Sequence, residues 1–171
     1  MYFSKEEIDW LAEERQKVPV RQMALMERFL AREFASEGGK EFAVHGFCRR
    51  LTTLARCIDN VFQTVSPDCE DVPNEESRKD IEINIQTFLL NVFGCLDNLA
   101  WICVKEKGVT ENDGTDLPRI TVRLWSGHKR IKSSFSKEFL EYLSKYKDWY
   151  DCLQDYRDAL AHRIPLYVPP Y

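Results

Sequence analysis

EESRKDIEINIQTFLLNVFGCLDNLAWICVKEK, residues 75–107, carries apolar side chains almost all the way round its second half, 88–104. A helix that is apolar on every side has to be surrounded, so this segment reads as the central rod of a helical bundle, with Gly108 as its stop. Asn84, Asn91 and Asn98 recur at intervals of seven and draw one polar line along the rod, with Asp97 beside the end of the line. An asparagine inside a helical core ordinarily makes a hydrogen bond that sets register, which is the simpler reading. The sharper one turns Asp97 or Asn98 toward the chemistry of the last helix.

The neighbours of this rod follow from the same periodicity. Before it, from about Lys40, the residues Val44, Phe47, Leu51, Leu54, Ile58, Val61 and Val65 alternate three and four apart, the stripe of a bundle helix. The acidic stretch 66–74, with Pro67 and Pro73, is the loop between them. Ser4 and Glu7 form a capping-box pattern, so a first helix begins near Lys5 with Ile8, Leu11 and Ala12 inward. Pro19 ends or kinks it, and Met23, Met26, Leu30 and Phe34 carry a second piece to a close at Gly38-Gly39, the two forming one bent helix or a hairpin.

After the rod, 108–114 is a turn-rich loop. Residues 117–137 then hold Arg119, Arg123, Lys129, Arg130, Lys132 and Lys137, with His128 and without any Asp or Glu. Ile120, Val122 and Leu124 alternate as a short strand would, but no partner strand is in sight, so irregular structure or a 3₁₀ turn is expected. Ser136 caps a helix with Phe139, Leu140, Leu143 and Tyr146 inward, and Asp148 can cap the last one; continuity between the two is left open. The fold expected is an all-α, up-and-down bundle of about five helices with a basic irregular loop before the last two. It forms a single domain over 1–171: a helical extension 1–39, a core bundle 40–164 and an extended tail 165–171.

Composition bounds the function. A chain of 171 residues, 44% hydrophobic, suffices for one core. Its net charge of −4 argues against a uniformly basic polyanion binder and leaves room for a local patch. The six cysteines (Cys48, Cys57, Cys69, Cys95, Cys103 and Cys152) form no CxxC pair, and Met1 leads into charged residues, which points to a reduced, cytoplasmic protein. No uninterrupted apolar run approaches the ~18 residues that span a bilayer, so no membrane is expected. P-loop, GxGxxG, GxSxG and HExxH patterns are absent. His45 and Cys48, three apart, supply only two of the four ligands of a closed zinc site, and neither metal nor cofactor is expected.

The candidate chemistry lies in 148–171, DWYDCLQDYRDALAHRIPLYVPPY. Tyr150, Leu153, Leu160 and Ile164 make the inner stripe of a helix, and the missing seam position is held by Arg157. A guanidinium cannot lose its proton, so there it meets a carboxylate that staples two helices, another subunit, or a bound anion. His162, five residues on, lies about 140° further round the helix, so the two can flank one groove. Asp158, one turn before His162, is placed to accept from the ring and fix its tautomer. Pro165 ends the helix near Arg163, leaving His162 in the last turn, where the helix dipole favours imidazolium.

The run from Arg157 through Asp158 to His162 resembles the R-x(4–6)-H signature of HEPN domains, as does its setting, a final helix after a long one carrying Asp97, Asn98 and Trp101. The resemblance implies a homodimer in which paired Arg157 and His162 residues form a metal-independent RNA-cleaving site. Asp158 would stand beside them, Asp97 and Asn98 would support, and Arg119, Arg123, Lys129, Arg130 and Lys132 would hold flanking phosphates. A toxin or defence setting, with an antitoxin or other protein partner, belongs to the same expectation. The alternative is a non-catalytic, dimerising module that binds nucleotide or RNA, and for the basic stretch a solvated loop balancing the acidic linker.

Overall fold

The computed structural model describes residues 3–125, 127 and 129–169; His128 of the basic segment and the last two tail residues, Pro170 and Tyr171, lie outside the described residues. The chain is an all-α bundle. Its elements are α1 (Lys5–Leu30), α2 (Glu37–Glu41), a π-helical stretch (Phe42–Cys48), α3 (Arg49–Thr64), α4 (Glu75–Lys107), a 3₁₀ turn (Arg119–Thr121), α5 (Lys129–Ser133), α6 (Lys137–Lys145) and α7 (Lys147–His162). The short helices α2 and α5 add to the elements expected, and among the described residues the only β pairing is an isolated bridge between Thr110 and Asp116.

The element ends are written in capping chemistry. Ser4 and Glu7 complete the capping box of α1. Asn74 and Ser136 accept from the third backbone N–H of α4 and α6, those of Ser77 and Phe139. Gly108 closes α4 with φ 59°, the left-handed geometry that a Cβ would penalise.

Neighbouring long helices run antiparallel, as the pairings show. Asn60 Nδ2 donates to Asn84 Oδ1 (3.0 Å), whereas Arg50, earlier on α3, reaches Asn91 and Asn98, later on α4. On the other side of α3, Arg15 pairs with Asp59 at 2.5 Å and Gln22 bonds Thr52 at 3.3 Å. On the far side of α4, Tyr150 of α7 stacks on Phe93. The tail turns back along the start of α4, with Gln86 donating to the Leu166 carbonyl (2.7 Å) and the Val168 N–H donating to Glu82 (2.8 Å).

The core falls into three groups that α4 joins. One gathers Ala100 and Val104 with Val122, Ile131, Phe135 and Leu143; a second gathers Cys95 and Ile102 with Ala43, Phe47 and Cys48; the third is Phe93 with Tyr150 and Leu153. By length and composition α4 is also long and apolar enough to cross a membrane, which scanning for unbroken apolar runs did not reveal because Asn91 and Asp97 interrupt them. In this fold it packs against α3 and α7.

Several expectations are corrected. Pro19 does not end the first helix: α1 runs through it as one helix, tied to α3 on either side of the proline by Arg15 and Gln22. Met23 and Leu30 point outward; Met26, Phe29 and Phe34 do the packing, and no residue of α1 is fully buried. Gly38 and Gly39 do not close a helix but sit inside α2, where Gly39 is buried against the Glu106 carboxylate and the Ser36 hydroxyl. Glu106 accepts from the N–H groups of Ala35 and Ser36 (3.0 and 3.1 Å), which hold its carboxyl below the usual range and tie the end of α4 to the start of α2. Asp148 does not cap α7; the helices break at Tyr146, and Asp148 lies in the first turn of α7. Ile164 lies past the end of α7 and is 81% exposed, since Pro165 pulls the chain away before the stripe can continue.

Candidate arginine and histidine site

Helix α7 places its side chains by the stripe read in the sequence. Tyr150 and Leu153 bury against Phe93 of α4, and one turn after Leu153 the Arg157 side chain follows the same face. Its guanidinium carbon lies 4.5 Å from the centre of the Phe93 ring, a cation on a π face, and the side chain is 21% exposed. An Arg157 Nη meets Asp158 Oδ1 at 2.9 Å, while the Nε is buried without a hydrogen-bond partner.

Two further guanidiniums act on the same stretch of α4. Arg123, in the segment after the 3₁₀ turn, lies 5.9 Å from the same Phe93 ring. Arg50, at the start of α3, donates from Nε to Asn98 Oδ1 (3.1 Å) and from Nη1 to Asn91 Oδ1 (2.9 Å). Glycines make that approach possible: a Cβ at Gly94 would stand 2.5 Å from the Arg50 guanidinium carbon, and one at Gly46 would stand 2.6 Å from Asn98 Nδ2.

Asp97 sits in the field of all three. Burial pushes its carboxyl above the usual range, and the positive charges of Arg123, Arg157 and Arg50, in that order, pull it part of the way back. Folding therefore favours protonated Asp97, so its contribution is most favourable below the ordinary carboxylate pKa and is lost as pH rises through the raised value. Asp97→Asn is accordingly expected to raise the melting temperature at pH 7 by about 1–3 °C, and to change nothing below pH ~4, in parallel thermal melts. A drop in melting temperature at pH 7 would show instead that the carboxylate is needed to balance the arginines.

The structure brings together some of the residues singled out in the sequence and separates others. Asp97, Arg123 and Arg157 share one neighbourhood. Asn98 belongs to the α3 side, where it holds Arg50, so the asparagine line is the hydrogen-bonded register of α3 on α4. Asp158 does not touch the His162 ring. It pairs with Arg157, because a permanently charged group that is largely buried needs a counterion more than an imidazole in water does. His162 is exposed in the last turn of α7 and makes no hydrogen bond or ion pair with any described residue.

The basic stretch is dispersed. Arg119, Lys129 and Lys132 are exposed, and Arg130 braces the 110–112 loop, donating to the Thr110 carbonyl (2.7 Å) and to Asn112. His45 is exposed while Cys48 is buried, and no group of three metal-binding side chains occurs among the described residues. All six cysteines are unpaired thiols, and burial pushes Cys95 up to about 11, which keeps it protonated.

Arg50, Gly46 and Gly94 escaped the sequence reading. The signal was present: a polar line on one helix requires polar partners on the next, and on α3 Arg50 and Asn60, beside the apolar stripe, supply them. No protein family, curated protein or solved structure matches the chain.

Proposed function

We propose that this chain is one protomer of a metal-independent endoribonuclease of HEPN type. The supporting observation is the state of Arg157: its Nε is buried with no partner, its Nη pairs with Asp158, and Arg123 shares the Phe93 ring with it beside Asp97. A buried donor left unbonded costs about 1–3 kcal/mol, which an acceptor oxygen would relieve. A phosphodiester supplies that acceptor.

One protomer carries a single His162, and transesterification needs both a base and an acid. In the proposed reaction two copies meet about a two-fold axis along α7. One His162 takes the ribose 2′-OH proton, the 2′ oxygen attacks the adjacent phosphorus, and the other His162 protonates the departing 5′ oxygen. Arg157 from each copy stabilises the pentacovalent phosphorane. The products are a 2′,3′-cyclic phosphate and a 5′-hydroxyl. Single-stranded RNA incubated with the dimer in EDTA is expected to yield those ends; RNA left whole by a folded dimer would refute the reading. The ion pair between Arg157 and Asp158 favours a second reading, a non-catalytic module that binds a nucleotide or RNA without cutting it.

A further inference from the structure

Beside the arginines runs a second feature that the cleavage chemistry does not use. Leu96 of α4, Trp125, and Tyr142, Tyr146 and Trp149 at the corner of α6 and α7 line an open groove of about 450 Å³. Its rings are unusually bare for a folded chain, Trp149 being 49% and Tyr142 53% exposed. Within it the Trp125 Nε1 is committed to the Leu143 carbonyl at 2.6 Å, while the Trp149 ring is half exposed. A flat ligand can stack on such a ring.

The groove is tied to the arginines by a continuous pile of rings. Trp125 stacks on Tyr150 with centroids 4.5 Å apart, Tyr150 on Phe93 at 5.8 Å, and Phe93 carries the Arg157 and Arg123 guanidiniums. Arg123 stands two residues before Trp125, so one short segment presents a cation to the pile and a ring to the groove. Flat rings linked through this pile to two guanidiniums match the two halves of a nucleotide unit, base and phosphate. An apolar helix would cover the rings and leave the charge unanswered.

We propose that the Trp125, Tyr146 and Trp149 groove is a stacking subsite for an unpaired base of single-stranded RNA, its phosphate directed to Arg123 and Arg157. The assignment rests on the RNA reading above and adds the form of RNA taken: unpaired and, since stacking reads no base edge, with little preference for sequence at this position.

The test uses the full chain and a short, labelled 2′-O-methyl oligouridine, which lacks the attacking hydroxyl and so reports binding without cleavage. Trp149→Ala, at a half-exposed position, is expected to weaken binding about tenfold in fluorescence anisotropy, with the circular dichroism spectrum kept. The wild-type chain should bind the abasic version of the same oligonucleotide about as weakly as the variant binds the intact one. Equal affinity of variant and wild type overturns the subsite, as does equal affinity for abasic and intact strands. Loss of self-association in Trp149→Ala, read by sedimentation, would assign the groove to contact between copies and overturn it too. A tenfold loss of binding alongside ordinary RNA that is never cut keeps the subsite and refutes only the nuclease; cleavage with undiminished binding in the variant does the reverse.

Discussion

Phe93→Ala is expected to lower the unfolding free energy by about 3–5 kcal/mol in urea titrations, a large share of the roughly 5–15 kcal/mol that holds a domain of this size. The ring is 4% exposed and packs with Tyr150 and Leu153, so truncation opens a cavity at the junction of α4 and α7. It also removes the surface on which two guanidiniums rest, at 4.5 and 5.9 Å. Phe93→Leu separates the two effects: volume is mostly retained, the cation-π contact is not, and the loss should fall to about 1–2 kcal/mol. A cost below about 1 kcal/mol for the alanine variant would mean that α7 is not anchored through this ring.

His162→Ala should abolish RNA cleavage, by about 10²–10⁴-fold, with the melting temperature unchanged. The asymmetry between activity and stability follows from placement. His162 is exposed on the final turn of α7 and bonds to no described residue, so its removal leaves no cavity and no orphaned partner. Arg157→Ala, by contrast, is expected to reduce both, because the same side chain packs on Phe93 and pairs with Asp158. If His162→Ala cuts RNA at the wild-type rate while Arg157→Ala does not bind it, the module that binds without cutting is the better description.

The long helices were legible because their signals are local. Ser4, Asn74, Ser136 and Gly108 mark ends through bonds made within a turn, and the crowded apolar pattern of 88–104 marks the rod that the other groups share. What was illegible depended on distant neighbours. Nothing near Pro19 announces that Asp59 and Thr52 brace α1 on either side of it, and nothing near Gly39 announces the Glu106 carboxylate. The site divides in the same way. The spacing of Arg157 and His162 on one helix is a property of the chain, whereas the partner of Asp158 was decided by burial: Arg157 is drawn under α4 and His162 is left in water. Arg123 could be suspected from its charge, but Arg50 was visible only once α3 and α4 were laid side by side.

The manner in which α1 is attached sets how the protein breathes. A helix running Lys5–Leu30 with no fully buried residue is fastened by an ion pair, a few polar bonds and the Met26 and Phe29 contacts. Its detachment requires only a fraction of the global unfolding energy. Its amide protons should therefore trade with deuterium well before those of α4, and faster in high salt, which loosens the Arg15 clasp. The protein is in this respect a firm frame wearing a detachable splint.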